Sequence, residues 1–175
     1  MKTIFKILLS LSFVLLFTAC SSKYPELPTT KSVDLNKYLG TWYEIARYEH
    51  FFEKGCKNVT ATYSLRQDGD LDVINRCVKI ETGEKTQANG IAYSTNKDNT
   101  KLKVSFFRPF WGDYWILMLD DDYKYAVVGT PSREYLWILS RTSTISEELK
   151  NQILNKLPSL GFVTNKLIWT IQDSK

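Results

Sequence analysis

From Val59 to Leu65 the chain alternates strictly: Val59, Ala61, Tyr63 and Leu65 against Thr60, Thr62 and Ser64. A period of two puts one set on each face of a β-strand. Leu71 and Val73 alternate in the same way with Asp70 and Asp72, and Leu102, Val104 and Phe106 with Lys101, Lys103 and Ser105. Asp68-Gly69 marks a hairpin turn between the first two runs. For Tyr63 and Val73 to share a face, that loop must hold an odd number of residues, so a bulged turn is expected. Further strands are expected at about 41–48, 84–93, 114–120, 125–130 and 135–141, with turns at 96–99, 120–122 and 131–132. The run 114–120 is apolar on both faces, so something should cover its outside.

Only after the eighth strand does the period change. Leu149, Ile153, Leu154 and Leu157 mark one helical face. Thr144 and Glu147 read as a capping box, and Pro158 and Gly161 end the helix. A short last strand is expected at 166–171, and 33–40 reads as a helical turn before the first strand. Short strands in series with short loops predict an all-β, eight-stranded up-and-down antiparallel barrel, because closure removes the two edges a flat sheet would expose. The lone helix must then pack outside, and Tyr43 and Ile45, facing away from Trp42, are its expected partners.

Successive strands reverse direction. The start of the first strand, the second–third and sixth–seventh turns and the end of the eighth strand therefore share one end. This brings Gly40, Trp42, residues 121–125 and Arg141 together. A guanidinium over the indole would close that end by a cation–π contact of about 0.5–2 kcal/mol. At the other end lie aromatic loops, Phe51-Phe52 and 107–111. They suit ligand entry, membrane contact, dimer packing or packing on one another. Tyr63, Val73, Asn75, Phe106, Tyr114, Ile116 and Trp137 have inward parity. They would line an apolar cavity with a few polar groups, or fill the core; periodicity does not separate the two. Glu44 also has inward parity and would need a buried partner. His50, the only histidine, reads as an exposed loop residue. No hydrolytic triad, phosphate loop or metal-ligand set accompanies it, so no catalytic residue, cofactor or metal is expected.

The chain has 175 residues, enough for one domain, and is 43% hydrophobic and 14% aromatic. Its net charge of +4 is spread along the sequence, which argues against nucleic-acid binding. Residues 1–19 read as a secretory signal: Lys2 and Lys6 precede an apolar run too short to span a bilayer. Thr18-Ala19-Cys20-Ser21 resembles a bacterial lipoprotein lipobox, although Phe17 stands where leucine is usual. That resemblance implies acylation of Cys20 and, with Ser21, outer-membrane sorting. The alternative is a plain signal peptide cut near Ala19. Polar residues 20–32, with Pro25 and Pro28, read as the lipidated end and a tether, and 33–175 as the barrel domain. With Cys20 acylated, Cys56 and Cys77 remain as a pair for an oxidising compartment, and a disulfide is expected. A simple ladder through Tyr63 and Val73 leaves the two about three positions out of alignment, so a bulge must make up the difference.

Gly40-x-Trp42 at the first strand, the 121–125 corner and Arg141 after the eighth strand resemble the three structural signatures of the lipocalins. The strings 38–47, 59–65 and 135–141 are similar to those of bacterial outer-membrane members, and the likeness covers about 33–171. It implies a calyx that binds a fatty acid or lysophospholipid, with the positions of Tyr63, Asn75, Phe106 and Trp137 lining the pocket, and a homodimer. It also admits two alternatives. One lipocalin branch is an isomerase with a cavity thiol, and Cys77 has inward parity; a filled barrel would instead suit a structural or stress-response protein.

Overall fold

The computed structural model describes residues 24–173. The leader 1–19 and Cys20 lie outside the described residues.

A short helix α1 (Leu35–Tyr38), capped by Asp34, leads into strand β1 (Gly40–Tyr48). Strands β2 (Cys56–Leu65), β3 (Leu71–Lys79), β4 (Lys85–Ser94), β5 (Lys101–Phe107), β6 (Phe110–Leu119), β7 (Tyr125–Gly129) and β8 (Leu136–Ser140) follow in series. Each pairs antiparallel with its neighbour, and β8 and β2 both pair with β1, so the sheet closes into an eight-stranded barrel. Tyr63 pairs with Val73 and Leu65 with Leu71. The intervening loop is therefore odd, as the shared parity requires. The 107–111 stretch differs from its expectation as a loop. Phe107 pairs with Phe110, so β5 and β6 extend through it and turn at Arg108-Pro109.

Helix α2 (Glu147–Lys156) packs outside. Its N-cap is Ser146, whose side chain accepts from Leu149 N, not Thr144. The Thr144 carbonyl instead accepts from the Thr142 hydroxyl. A 3₁₀ turn at Leu157–Leu160 ends at Gly161. Ile153, Leu157, Leu160 and Phe162 bury against Ile45, Tyr48, Leu117, Val127, Leu136 and Ile138. Tyr43 is not among these partners, because the helix crosses nearer the other end of β1, over Ile45 and Tyr48.

The outside of β6 is covered by residues 24–32, whose polar, proline-containing composition suggests a tether. Leu27 is 1% exposed within the cluster that holds Leu117. Thr30 N donates to Ile116 O at 2.9 Å, and Val33 N to Asp98 O at 2.9 Å. Residues 24–32 are thus packed on the barrel.

One end of the barrel is plugged. Trp42 is fully buried and its indole N–H donates to Tyr38 O. Arg141 lies over the indole, 3.8 Å from the ring centre. Its guanidinium donates to the carbonyls of Lys37, Leu39 and Thr41, and its Nε to Tyr123 O. Gly40 has φ +89°, where an L side chain is strained, and a Cβ there would sit 3.6 Å from Arg141 Nη1.

Away from this closed end, β1 and β2 part. Their pairing stops at Tyr43–Thr60. Strand β9 (Leu167–Trp169) pairs with Ala46–Tyr48 in place of β2. Residues beyond it bridge the gap: Thr170 N donates to Ile45 O, Asn58 N donates to Ile171 O, and the Gln172 amide donates to both Glu44 O and Val59 O.

Candidate binding cavity

Inward-facing residues leave a cavity of about 530 Å³ that opens at the end away from Trp42. Its wall includes Tyr63, Val73, Asn75, Phe106, Tyr114 and Trp137, six of the seven residues with inward parity. Ile116 corrects that set. It is fully buried among Trp42's neighbours and lies beneath the cavity, not on its wall. Tyr135, Leu139, Ala61 and Val104 add to the wall, with Trp111 and other residues toward the mouth. Tyr135, Leu139, Ala61 and Val104 share parity with residues already placed there, so the signal for them was present in the alternation. A larger concavity of about 910 Å³ lies outside the barrel, between Tyr24, Tyr48 and the turn 131–134. Charged Glu49, Arg133, Glu134 and Lys166 border it, so it lacks the enclosed apolar character of a site for a small apolar ligand.

Three tyrosines form the floor. The Tyr114 hydroxyl lies 2.8 Å from those of Tyr38 and Tyr63. Burial pushes all three phenols above the ordinary value, so they stay neutral and satisfy one another. Tyr38 comes from α1, and nothing in its local pattern announced that its hydroxyl would reach the barrel axis. Higher on the wall, the Asn75 side-chain oxygen is buried with no hydrogen-bond partner. A ligand hydroxyl or amide could supply one. Phe106 owes its pose to Gly90: a Cβ there would meet the Phe106 ring at 2.8 Å.

The mouth is aromatic. Phe51 is 85%, Phe107 74% and Phe110 70% exposed. The rings of Phe107 and Phe110 stack at 6.2 Å, and Trp111 meets Tyr93 edge-on at 4.9 Å. Cys56 and Cys77 form a disulfide with Cα atoms 5.6 Å apart. The bulge between Lys57 and Thr60, with Asn58 at φ +53°, shifts the ladder by one residue and brings the two cysteines into diagonal reach. With both sulfurs bonded, Cys77 offers no thiol.

His50 corrects its reading as an exposed residue. It is buried, stacked on Phe52 at 3.8 Å, with its Nε2 3.1 Å from Glu53 Oε2. Glu44 gains the partners the sequence could not name. Its Oε1 accepts from Arg47 at 2.9 Å and from the Thr170 hydroxyl. Arg47 also donates to Glu53 O. Burial, then the negative charge of Glu53, raises the Glu44 pKa to about 8, against the pull of Thr170 and Arg47. Burial would push Glu53 up as well, but the neighbouring His50, 3.1 Å away, and then Glu44 and Arg47 bring it below the ordinary carboxylate value. Among the described residues, no group of three or more His, Cys, Asp and Glu is placed to hold a metal ion.

A closed eight-stranded barrel with an arginine over the Trp of its first strand, one outer helix and a one-ended apolar cavity is the architecture the signatures implied. A family model described as a lipocalin-like domain matches residues 33–172. The chain is a lipocalin. Its relatives include the outer membrane lipoprotein Blc of Citrobacter freundii, 50% identical over 160 residues and 90% of each chain. The protein of the same name from Vibrio cholerae is 42% identical over 175 residues, covering 99% of this chain and 100% of its own length. Among solved structures, insecticyanin from the tobacco hornworm Manduca sexta superposes with a TM-score of 0.68 over 86% of each chain at 21% identity, a likeness of fold. No described helix of this lipocalin is long and apolar enough to cross a membrane.

Proposed function

We propose that this lipocalin is a lipid-anchored protein of the outer membrane that binds a fatty acid or lysophospholipid for storage or transport at the cell envelope. The observation that carries the reading is the one-ended cavity of about 530 Å³ with its aromatic and aliphatic wall. That volume lies within the roughly 300–1,000 Å³ of small-molecule sites. A single acyl chain fits such a wall. Asn75 offers the wall's buried polar group, and the polar head stays toward the mouth. The lipobox around Cys20 and relatives named outer membrane lipoproteins support the anchor and the location.

The disulfide disfavours the isomerase reading, which needs a free Cys77 thiol, and the cavity disfavours a filled structural barrel. Mass spectrometry of lipids extracted from the purified protein, with titration of Trp fluorescence by lysophospholipid and fatty acid, tests the binding role. Trp137 and Trp111 both line the cavity, so a bound chain quenches or shifts their emission. Absence of co-purified lipid together with an unchanged spectrum would sink it.

A further inference from the structure

The floor of the cavity carries one O–H more than it has hydrogen bonds. Tyr114 Oη lies 2.8 Å from Tyr38 Oη and 2.8 Å from Tyr63 Oη, a line of three hydroxyls with Tyr114 in the middle. Each phenol stays protonated, and each brings a single O–H. The two contacts use two of these protons. The remaining O–H has no acceptor among the described residues. It falls on Tyr38, Tyr63 or Tyr114, according to the direction in which the line donates. Tyr63 and Tyr114 border the cavity, whereas Tyr38 is 1% exposed and is not on its wall. A proton left on Tyr38 is stranded in the plug. A proton left on Tyr63 or Tyr114 meets whatever acceptor enters the cavity, so an acceptor there favours that arrangement.

The wall just above has the opposite need. Asn75 Oδ1 is buried and accepts from nothing. Asn75 pairs with Ala61 and Val73 with Tyr63, so Asn75 stands one inward step, about 7 Å, from Tyr63 toward the mouth. Other polar groups of the wall are matched already: Asp113 pairs with Lys103 at 2.8 Å and Thr130 Oγ1 lies 3.1 Å from Ser132 Oγ. No Lys, Arg or His borders the cavity. A carboxylate or phosphate at the floor would therefore lose its water without gaining a cation. A hydroxyl both accepts and donates, and it carries no charge.

We propose that the cavity selects an acyl chain with a hydroxyl on its buried half, which accepts from Tyr63 or Tyr114 and donates to Asn75 while the charged head stays at the mouth. This rests on the reading of the cavity as a lipid site and narrows the class of its ligand. An unsubstituted chain sets its methyl end against the hydroxyls and leaves both needs unmet. A site built around such groups discriminates against the analogue that lacks the matching one.

The test uses the purified mature protein stripped of bound lipid. Trp fluorescence is titrated with stearate and with stearates hydroxylated near the carboxylate, at mid-chain or near the methyl end. The chain hydroxylated at mid-chain or near the methyl end should bind about tenfold tighter than stearate, and the one hydroxylated near the carboxylate should bind like stearate. Asn75→Leu, and Tyr63→Phe together with Tyr114→Phe, should each bring that ratio toward one. A variant that is merely less stable weakens both ligands and keeps the ratio, so the ratio reports the hydroxyl and not the fold. Equal affinity for all four chains overturns the selection and leaves lipid binding standing. A preference that survives both variants places the hydroxyl elsewhere and also overturns it. No binding of stearate, any hydroxystearate or lysophospholipid overturns the selection and the lipid site together.

Discussion

The Arg141 guanidinium sits 3.8 Å from the centre of the Trp42 ring while donating to backbone carbonyls of α1 and β1. One side chain therefore ties the end of β8 to the beginning of the barrel. Arg141→Ala should lower unfolding free energy by about 2–3 kcal/mol, the sum of a cation–π contact and charge-assisted hydrogen bonds partly replaced by water. Arg141→Lys should recover little, since an ammonium cannot fork to several carbonyls. Urea unfolding measures both. Ligand affinity should change little, because the cavity opens at the other end.

Glu44 gives stability a pH dependence. Its pKa is raised to about 8 in the folded state by burial and by Glu53. The native state therefore keeps a proton that the unfolded chain has lost, so this contribution is complete below the unfolded carboxylate value and declines as pH rises to about 8. The slope is at most about 1.4 kcal/mol per pH unit. Glu53, lowered, acts oppositely and loses its contribution as pH falls. Glu44→Gln should flatten the alkaline decline and be more stable than wild type near pH 9. Thermal unfolding from pH 5 to 9 that shows parallel curves would refute the assignment.

The Cys56–Cys77 bridge spans 21 residues. A double Cys→Ser variant should lose about 2–4 kcal/mol. Titration of the folded, mature wild-type protein should find no reactive thiol; two would contradict the bridge.

Gly90 lets the Phe106 ring lie against β4. A Cβ at position 90 would also meet the Ser105 carbonyl at 2.8 Å, so the wall is tested instead by Phe106→Ala, which removes the ring without that backbone clash. Affinity for a long-chain lysophospholipid should fall about tenfold, or about 1.4 kcal/mol, with the far-ultraviolet circular dichroism unchanged. Unaltered affinity would remove Phe106 from the ligand wall.

Leu27 is buried against the barrel, so Leu27→Ala should cost about 2–3 kcal/mol, the range of a buried leucine truncation. A free tether would tolerate the change without effect in the same unfolding assay.

Alternation carried most of the fold. It gave the eight strands, the Tyr63–Val73 register and six of the seven cavity residues, because a one-sided strand fixes its own parity. It failed where the pattern is broken by tertiary need. The bulge at Glu44/Ala46 puts both Glu44 and Arg47 into one buried cluster, which strict parity would have divided. His50 looked exposed because its partners, Glu53 and Phe52, are neighbours in a loop without period. Pro25 and Pro28 made 20–32 read as a linker, yet Leu27 is the lone large aliphatic residue there and it fills the surface that the two-faced β6 leaves open.

Residues 170–173 complete the wall between β1 and β2, yet they follow every barrel strand and α2 in sequence. The seam therefore closes only once this segment has packed against β1 and β2. Until then Glu44 lacks the Thr170 hydroxyl and the side of the calyx has a window. Sealing therefore waits on residues 170–173, and without them the calyx would have a second opening in its side.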